Sequence, residues 1–309
     1  MSQSRIHVMV AIAAVLVAGV ARAEIEIHEE HSFDARAGAT VVVDASFHDV
    51  EVTARAGTTV DVVVDLEVKG TGSSARKIAN ALRPEFLDEG DRLIIRSTRK
   101  SGWSWRGNPA RGTITVEMPP GVDLLVDVSS GGTTLRGDFG DAEVAFEASS
   151  GGLEIDGVMR ELRADVSSGS IRVNVHQPLA RFRADASSGN IRLTGGADSA
   201  KIDTSSGSIH AKGLRGSAKL GSSSGSITAS WDVAGAGDEV TAHASSGSVR
   251  LSFPPKTIFR GVIDVGSGGL HSDFPALVRD KDAIHFDGGE EAVGLRVSTS
   301  SGSVRLISN

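Results

Sequence analysis

The sequence predicts an all-β protein, a β-solenoid or β-helix-like stack of 18–20-residue coils. Three observations carry that prediction. A Ser-Ser-Gly phrase recurs at a near-fixed period, apolar and polar residues alternate on both sides of each copy, and the composition favours small residues. Among 309 residues there are 37 glycines, 8 prolines, three tryptophans and no tyrosine, with aromatics at 4%. A chain of this kind fills its interior with small branched side chains, as thin repetitive β-architectures do.

The first 23 residues stand apart. Arg5 and His7 precede an apolar run, Val8–Val20, which ends in Ala21-Arg22-Ala23. A basic start, an apolar stretch too short to span a bilayer and a small-x-small site together read as a secretory signal peptide cut after Ala23. The protein is then exported to the periplasm, the cell surface or the medium, with no transmembrane anchor after cleavage. Cysteine is absent, so neither a disulfide nor a lipid-modified N-terminal cysteine is available. Removing the segment lowers Lys+Arg from 32 to 30 against 39 acidic residues, a net charge of −9. That balance argues against nucleic acid and anionic lipid surfaces as general partners.

Residues 24–122 form an N-terminal strand-rich segment, a cap for the solenoid. "HEEH", His28–His31, has its histidines three apart with no helical context, so it is not a zinc motif and reads as a frayed terminus. "VVVDASFHDVEVTA" reads as a degenerate coil. "SSARKIANALR" carries Ala75, Ile78, Ala79 and Leu82 on one helical face, with Ser73 or Ser74 as the cap. "GTGSSA", Gly70–Ala75, has dinucleotide-loop spacing, but a strand-to-helix turn explains it and no further βαβ unit follows. No cofactor is therefore expected.

Residues 123–309 are the repeat solenoid. The phrase begins at Ser129, Ser149, Ser167, Ser187, Ser205, Ser223, Ser245 and Ser300, with a Gly-Ser-Gly variant at Gly266. In chain order the spacings are 20, 18, 20, 18, 18, 22, 21 and 34. A period near 20 marks a repeat architecture. Small or apolar residues stand one and three places before the phrase, such as Ala164 and Val166, with an acid between them in Asp127, Glu147, Asp165, Asp185, Asp203 and Asp264. Bases precede these at Arg163, Arg183, Lys201, Lys219 and Arg296. After the turn, Leu153, Ile171, Ile191, Ile209, Ile227 and Val249 begin a second alternation, with Arg172, Arg192, His210, Arg250, His271 and Arg305 as its polar members. Two half-buried strands per repeat follow. An array of antiparallel hairpins is the alternative, and it would set Asp165 opposite Arg172.

In the order and spacing of its motifs the chain resembles a bacterial exported β-strand-repeat family of putative adhesins, a domain of unknown function. The motifs are the "SSGSIRV"-type repeats, "VEMPPGVDLLVDVSSGGTTLRG" on entry, and "VGSGGLHSDFP" followed by "GGEEAVGLRVSTSSGSVRLIS" at the close. The resemblance covers nearly all of residues 40–309 and implies a β-helix-like fold and a non-enzymatic envelope role. It supplies no catalytic residue.

The chemistry points the same way. "GSSSG", Gly221–Gly225, has the letters of a nucleophile elbow but lies in a strand array, where that motif needs a strand–turn–helix. The acids at Asp165, Asp185 and Asp203 recur evenly beside bases, which suits a structural ladder better than a local hydrolytic site. No catalytic or metal residue is assigned. The candidate ligand-binding residues are Trp103, Trp105 and Arg106 in "SGWSWRG", two rings on one side of an extended stretch that can stack on a sugar or enter an interface. The expected function is a non-catalytic envelope or surface adhesin or scaffold, binding a glycan or an envelope protein by its long faces. A carbohydrate-active β-helix enzyme and an envelope-stress or sensory module are the alternatives.

Overall fold

The computed structural model describes residues 24–36, 38–97 and 109–309. The expected signal peptide and the Trp103, Trp105 and Arg106 cluster lie outside the described residues. The chain divides into two compact units, one of residues up to Ala142 and one of Glu143–Asn309.

In the second unit every repeat supplies two strands, one ending in Ser-Ser and one beginning just after the glycine. The first kind includes Glu143–Ser150, Glu161–Ser168, Arg181–Ser188, Ala200–Ser206, Ala218–Ser224 and Glu239–Ser246. The second includes Leu153–Val158, Ile171–Val175, Ile191–Thr194, Ile209–Leu214, Ile227–Trp231 and Val249–Phe253. Each strand pairs in parallel with its counterpart in the next repeat, so Asp165 lies beside Asp185 and Ile171 beside Ile191. This is the stacked β-solenoid that the period predicts, and the hairpin array is excluded. Asp165 is held by Arg163 on its own strand and does not face Arg172.

Alternation explains the two layers. Inward positions are almost fully buried along both sets of strands, including Ala164, Val166, Phe182, Ala184, Ile171, Val173, Ile191 and Leu193. In the early coils Ala and Val alternate with Leu, Ile and single phenylalanines, Phe146 and Phe182. Towards the C-terminal part of this unit the core turns aromatic. Trp231 stacks on Phe253 at 4.3 Å, and Phe259 packs edge-on to Phe253 and Phe274 at 4.9 and 5.0 Å. The buried indole donates to the Gly216 carbonyl at 2.9 Å, so its one polar atom is satisfied.

The Ser-Ser-Gly corner is where coils come closest. Ser150, Ser168, Ser188, Ser206, Ser224, Ser246 and Ser301 stand in one column. The following glycine continues the backbone ladder through the bend, with Gly169 N–H donating to Ser188 and Gly189 N–H to Ser206 at 2.9 and 3.0 Å. Gly189 has φ 146°. A Cβ there would stand 2.6 Å from the carbonyl carbon of Gly169 and overlap its oxygen. Glycine thus meets two demands here, an unusual φ and a backbone from the neighbouring coil in the space of a side chain.

Hydroxyls do tie coils together, though mostly not those of the paired serines, which are exposed. Thr204, Ser222 and Thr299, one place before each pair, are buried and donate to the carbonyls of Gly189, Gly207 and Gly247 at 3.1–3.2 Å. On the other side of the glycine, Asn190 Oδ1 accepts from Ser208 N–H at 2.8 Å and Ser208 Oγ from Ser226 N–H at 3.3 Å.

Coil order departs from chain order after Phe253. The last coil, Val293–Ser301 and Val304–Ser308, pairs in parallel with Glu239–Ser246 and Val249–Phe253. On its other side it pairs with Phe259–Val265 and Leu270–Ser272, which precede it in the chain. The C-terminal coil is therefore inserted between two others, and the spacing of 34 is the length of the detour. Beyond it, Ala283–Asp287 and Val278–Arg279 close that edge with antiparallel pairs. An open parallel edge would invite pairing with another chain.

The first unit uses the same device. Thr40–Ala45 and Asp49–Ala54 make the degenerate coil, pairing in parallel with the repeat Asp123–Ser130 and Thr133–Asp138. Their other neighbours are the later strands Arg92–Ser97 and Ala110–Met118. Thr59–Lys69 then pairs antiparallel with Ala110–Met118, and Glu24–Asp34 with Thr59–Lys69. The helix Ser73–Leu82 buries Ala75, Ile78, Ala79 and Leu82 against Leu66 and Val68, the face the sequence predicts. Its cap is a correction. Gly72 is the N-cap and no side chain bonds there, so both Ser73 and Ser74 lie inside the helix.

Candidate functional site

The outer faces of the second unit are ladders of identical side chains, because parallel in-register pairing brings equivalent residues of successive coils together. On the strands that end in Ser-Ser, Glu147, Asp165, Asp185 and Asp203 form one column. Two residues earlier Arg163, Arg183, Lys201 and Lys219 form a second, basic column. Stacked carboxylates repel at a strand spacing of about 4.8 Å. Burial, followed by the charges of Asp165 and Asp203, raises the Asp185 carboxyl above its ordinary range, while Lys201 and Arg163 oppose the shift. Arg163 grips Asp165 through Nε at 3.0 Å and Nη2 at 2.7 Å. That bond, with the Asp165 charge, raises the guanidinium further. On this face acids and bases thus run in parallel columns two residues apart, with Arg163 and Asp165 in direct contact.

The opposite outer face has no such pair of columns. On the strands that follow the glycine, Arg172, Arg192 and His210 stack in register, then Thr228, Arg250, Arg305 and His271. The four arginines are exposed, and among the described residues none of them forms an ion pair. Glu154 opens this column beside Arg172. Two residues further along the strands runs a mostly uncharged column that includes Asn174, Thr194, Ser230 and Ser252.

The motifs singled out in the sequence are placed as follows. Ser223 is an exposed member of the strand Ala218–Ser224 and is followed by a corner and another strand. "GTGSSA" is the turn from Thr59–Lys69 into the helix Ser73–Leu82. His28 and His31 correct the frayed-terminus reading, since they belong to an 11-residue strand, Glu24–Asp34. His28 bonds Asp65 at 2.7 Å and Glu30 at 3.2 Å, and these carboxylates raise its pKa. His31 is half-buried, with its ring 4.0 Å from that of Phe86. The signal for that strand was present in the alternation of Ile25 and Ile27 with glutamates. Among the described residues no cluster of His, Cys, Asp or Glu is arranged to hold a metal.

One buried group escaped the sequence reading. His48 sits where the degenerate coil turns, is fully buried, and finds no hydrogen-bond partner for either ring nitrogen among the described residues. A Cβ on Gly112 would overlap its ring, so the imidazole fills the space beside that glycine. Burial lowers its pKa to about 4, against a small opposing effect of Asp49. No ligand-binding pattern surrounds it.

No curated protein matches the sequence. Solved structures do. One is described as a putative adhesin from Bacteroides fragilis, 13% identical, with 94% of this chain and 100% of that chain covered and a TM-score of 0.39. A second, a putative adhesin from Parabacteroides distasonis, is 14% identical over 90% of this chain and 96% of its own, with a TM-score of 0.43. A third, described as a putative lipid binding protein from the same organism, is 14% identical over 91% and 96%, with a TM-score of 0.41. The family model described as Toastrack DUF4097 matches residues 40–307, the span from the degenerate first coil to the end of the inserted last one. Paired parallel strands within each unit, with Ser-Ser-Gly corners through the second, accord with the match, and the chain belongs to the Toastrack DUF4097 family.

Proposed function

We propose that this chain is an exported, non-catalytic surface protein of the bacterial envelope that adheres through the long outer faces of its solenoid. The regularity of those faces carries the reading. Catalytic and binding sites usually sit on irregular loops set on a rigid scaffold, whereas here a corner of a few residues separates strand from strand through most of the second unit. A periodic face suits a ligand that is itself extended or repeated. Among the described residues no helix is long and apolar enough to cross a membrane. In this reading the signal segment 1–23 delivers the chain to the envelope, and Trp103, Trp105 and Arg106 add a contact of their own.

The test is binding of the purified chain to glycans and to envelope fractions. Binding that weakens in the Trp103→Ala/Trp105→Ala variant is expected. Release of new sugar ends from a polysaccharide, abolished by Asp185→Asn, would overturn the non-catalytic reading in favour of a carbohydrate-active enzyme.

A further inference from the structure

The two long faces of the second unit carry their charge differently. The acidic column is matched by the basic column two residues away, and Arg163 clasps Asp165 directly. The column of Arg172, Arg192, His210, Arg250, Arg305 and His271 has no such partner column; Glu154 stacks beside Arg172 at its head, and His271 bonds Asp273 at 2.8 Å at its foot. Like charges stacked on adjacent strands destabilise a sheet. Arg172 lies beside Arg192, and Arg250 beside Arg305, without an ion pair among the described residues. We propose that this cationic column is the adhesive face and that its ligand is a linear acidic polysaccharide, laid along the stack with its carboxylates on the arginines. The proposal rests on the adhesion reading above and names the face and the ligand class.

Four features select this ligand among polyanions. The strip from Arg172 to Arg305, interrupted at Thr228 and broadened by Lys212, is narrow and, over five strand steps of about 4.8 Å, about 24 Å long. That shape suits a thread and gives a planar bilayer little to rest on. In the adjoining column the Asn174 amide donates to Asp156 at 2.9 Å, while Thr194, Ser230 and Ser252, with Lys212 beside Ser230, offer hydroxyls that match a ligand rich in hydroxyl groups. The outward positions of these strands carry no Phe or Trp to insert into lipid or to stack on bases. The chain as a whole is acidic, with a net charge of −7, so the attraction is confined to this strip and repulsion elsewhere disfavours broad polyanions such as duplex DNA.

The experiment measures binding of the purified full chain to immobilised polygalacturonate, with neutral dextran, phosphatidylglycerol vesicles and single-stranded DNA as comparators. Polygalacturonate binding that weakens with added salt is expected, and Arg172→Gln/Arg192→Gln/Arg250→Gln/Arg305→Gln should reduce it at least tenfold. That variant should melt no lower than the parent, because it removes like-charge contacts. Arg183→Gln/Lys219→Gln on the other face should change binding less than twofold. Equal binding by the quadruple variant would overturn the proposal, as would tighter binding to vesicles or DNA than to polygalacturonate. If the quadruple variant still bound envelope fractions like the parent, this face would be excluded while adhesion stood. If the parent bound none of these ligands nor envelope fractions, both readings would fall.

Discussion

Replacing Gly189 by alanine tests the corner on which the stack depends. Three glycines of this chain separate the two demands made there. Gly235 has an ordinary φ and open space around its missing Cβ, Gly237 has φ 86° with open space, and Gly189 has φ 146° with the Gly169 carbonyl in the way. Gly235→Ala should be neutral or stabilising by up to about 1 kcal/mol, through loss of freedom in the unfolded chain. Gly237→Ala adds a left-handed backbone penalty of about 1–2 kcal/mol, for a small net loss. Gly189→Ala adds both a strained φ, about 1–3 kcal/mol, and an overpacked backbone contact, about 1–3 kcal/mol. Relief would require the coils to separate at the corner, which strains the bond from Gly169 N–H to Ser188. The expected loss is about 4 kcal/mol, read from urea denaturation of the three variants. Hydrogen exchange at the Ile171 and Ile191 amides should quicken in Gly189→Ala alone. If Gly189→Ala lost no more than Gly237→Ala, the close approach of backbones at the corner would carry no weight.

Further outcomes concern the buried polar groups and the last coil. His48 titrates near 4 when folded and at 6.5 when exposed, so the unfolded state takes up its proton first. Its contribution is full above pH 6.5 and falls as pH drops towards 4, by about 3 kcal/mol at 1.36 kcal/mol per unit; relative to His48→Leu, chemical denaturation from pH 7 to 4 should show that extra loss. Thr204→Val removes the bond to the Gly189 carbonyl and should cost about 1 kcal/mol in the same assay, since Val166 already fills the equivalent position two strands away. Asp185 has a raised folded pKa, so ionisation weakens the fold as pH rises through it; Asp185→Asn should equal or exceed the parent in melting temperature at pH 7, with the difference closing below pH 4. Deleting residues 293–309 removes the coil that both Val249–Phe253 and Leu270–Ser272 pair with, and rapid amide exchange should spread across residues 259–272.

Much of this fold is legible because the repeat writes each constraint eight or nine times. The alternation around Asp165 and Ile171 gives both strands of a coil, and the face of Ala75, Ile78, Ala79 and Leu82 gives the helix. Coil order is another matter. Parallel pairing of near-identical coils has the same local chemistry whichever copies meet, so nothing in "STSSGSVRL" states that it stacks between Glu239–Phe253 and Phe259–Ser272. Only the spacing of 34 hinted at it. The cationic column shows the same limit. Its arginines could be named from sequence, but a hairpin would have given Arg172 the Asp165 carboxylate, and the absence of an ion pair follows from pairing across coils. His48 left no trace in sequence, since burial of a lone histidine depends on the gap beside Gly112.

The inserted last coil also has a temporal meaning. A ribosome delivers residues 259–272 well before 293–308, and until the latter arrive Phe259–Val265 can pair with Ala283–Asp287 but nothing joins it or Leu270–Ser272 to the earlier coils. Growth from the first repeats of the second unit can run forward only as far as Phe253 and must then wait for residues 293–308. Until then the strands Phe259–Val265 and Leu270–Ser272 cannot dock on the coils that precede them.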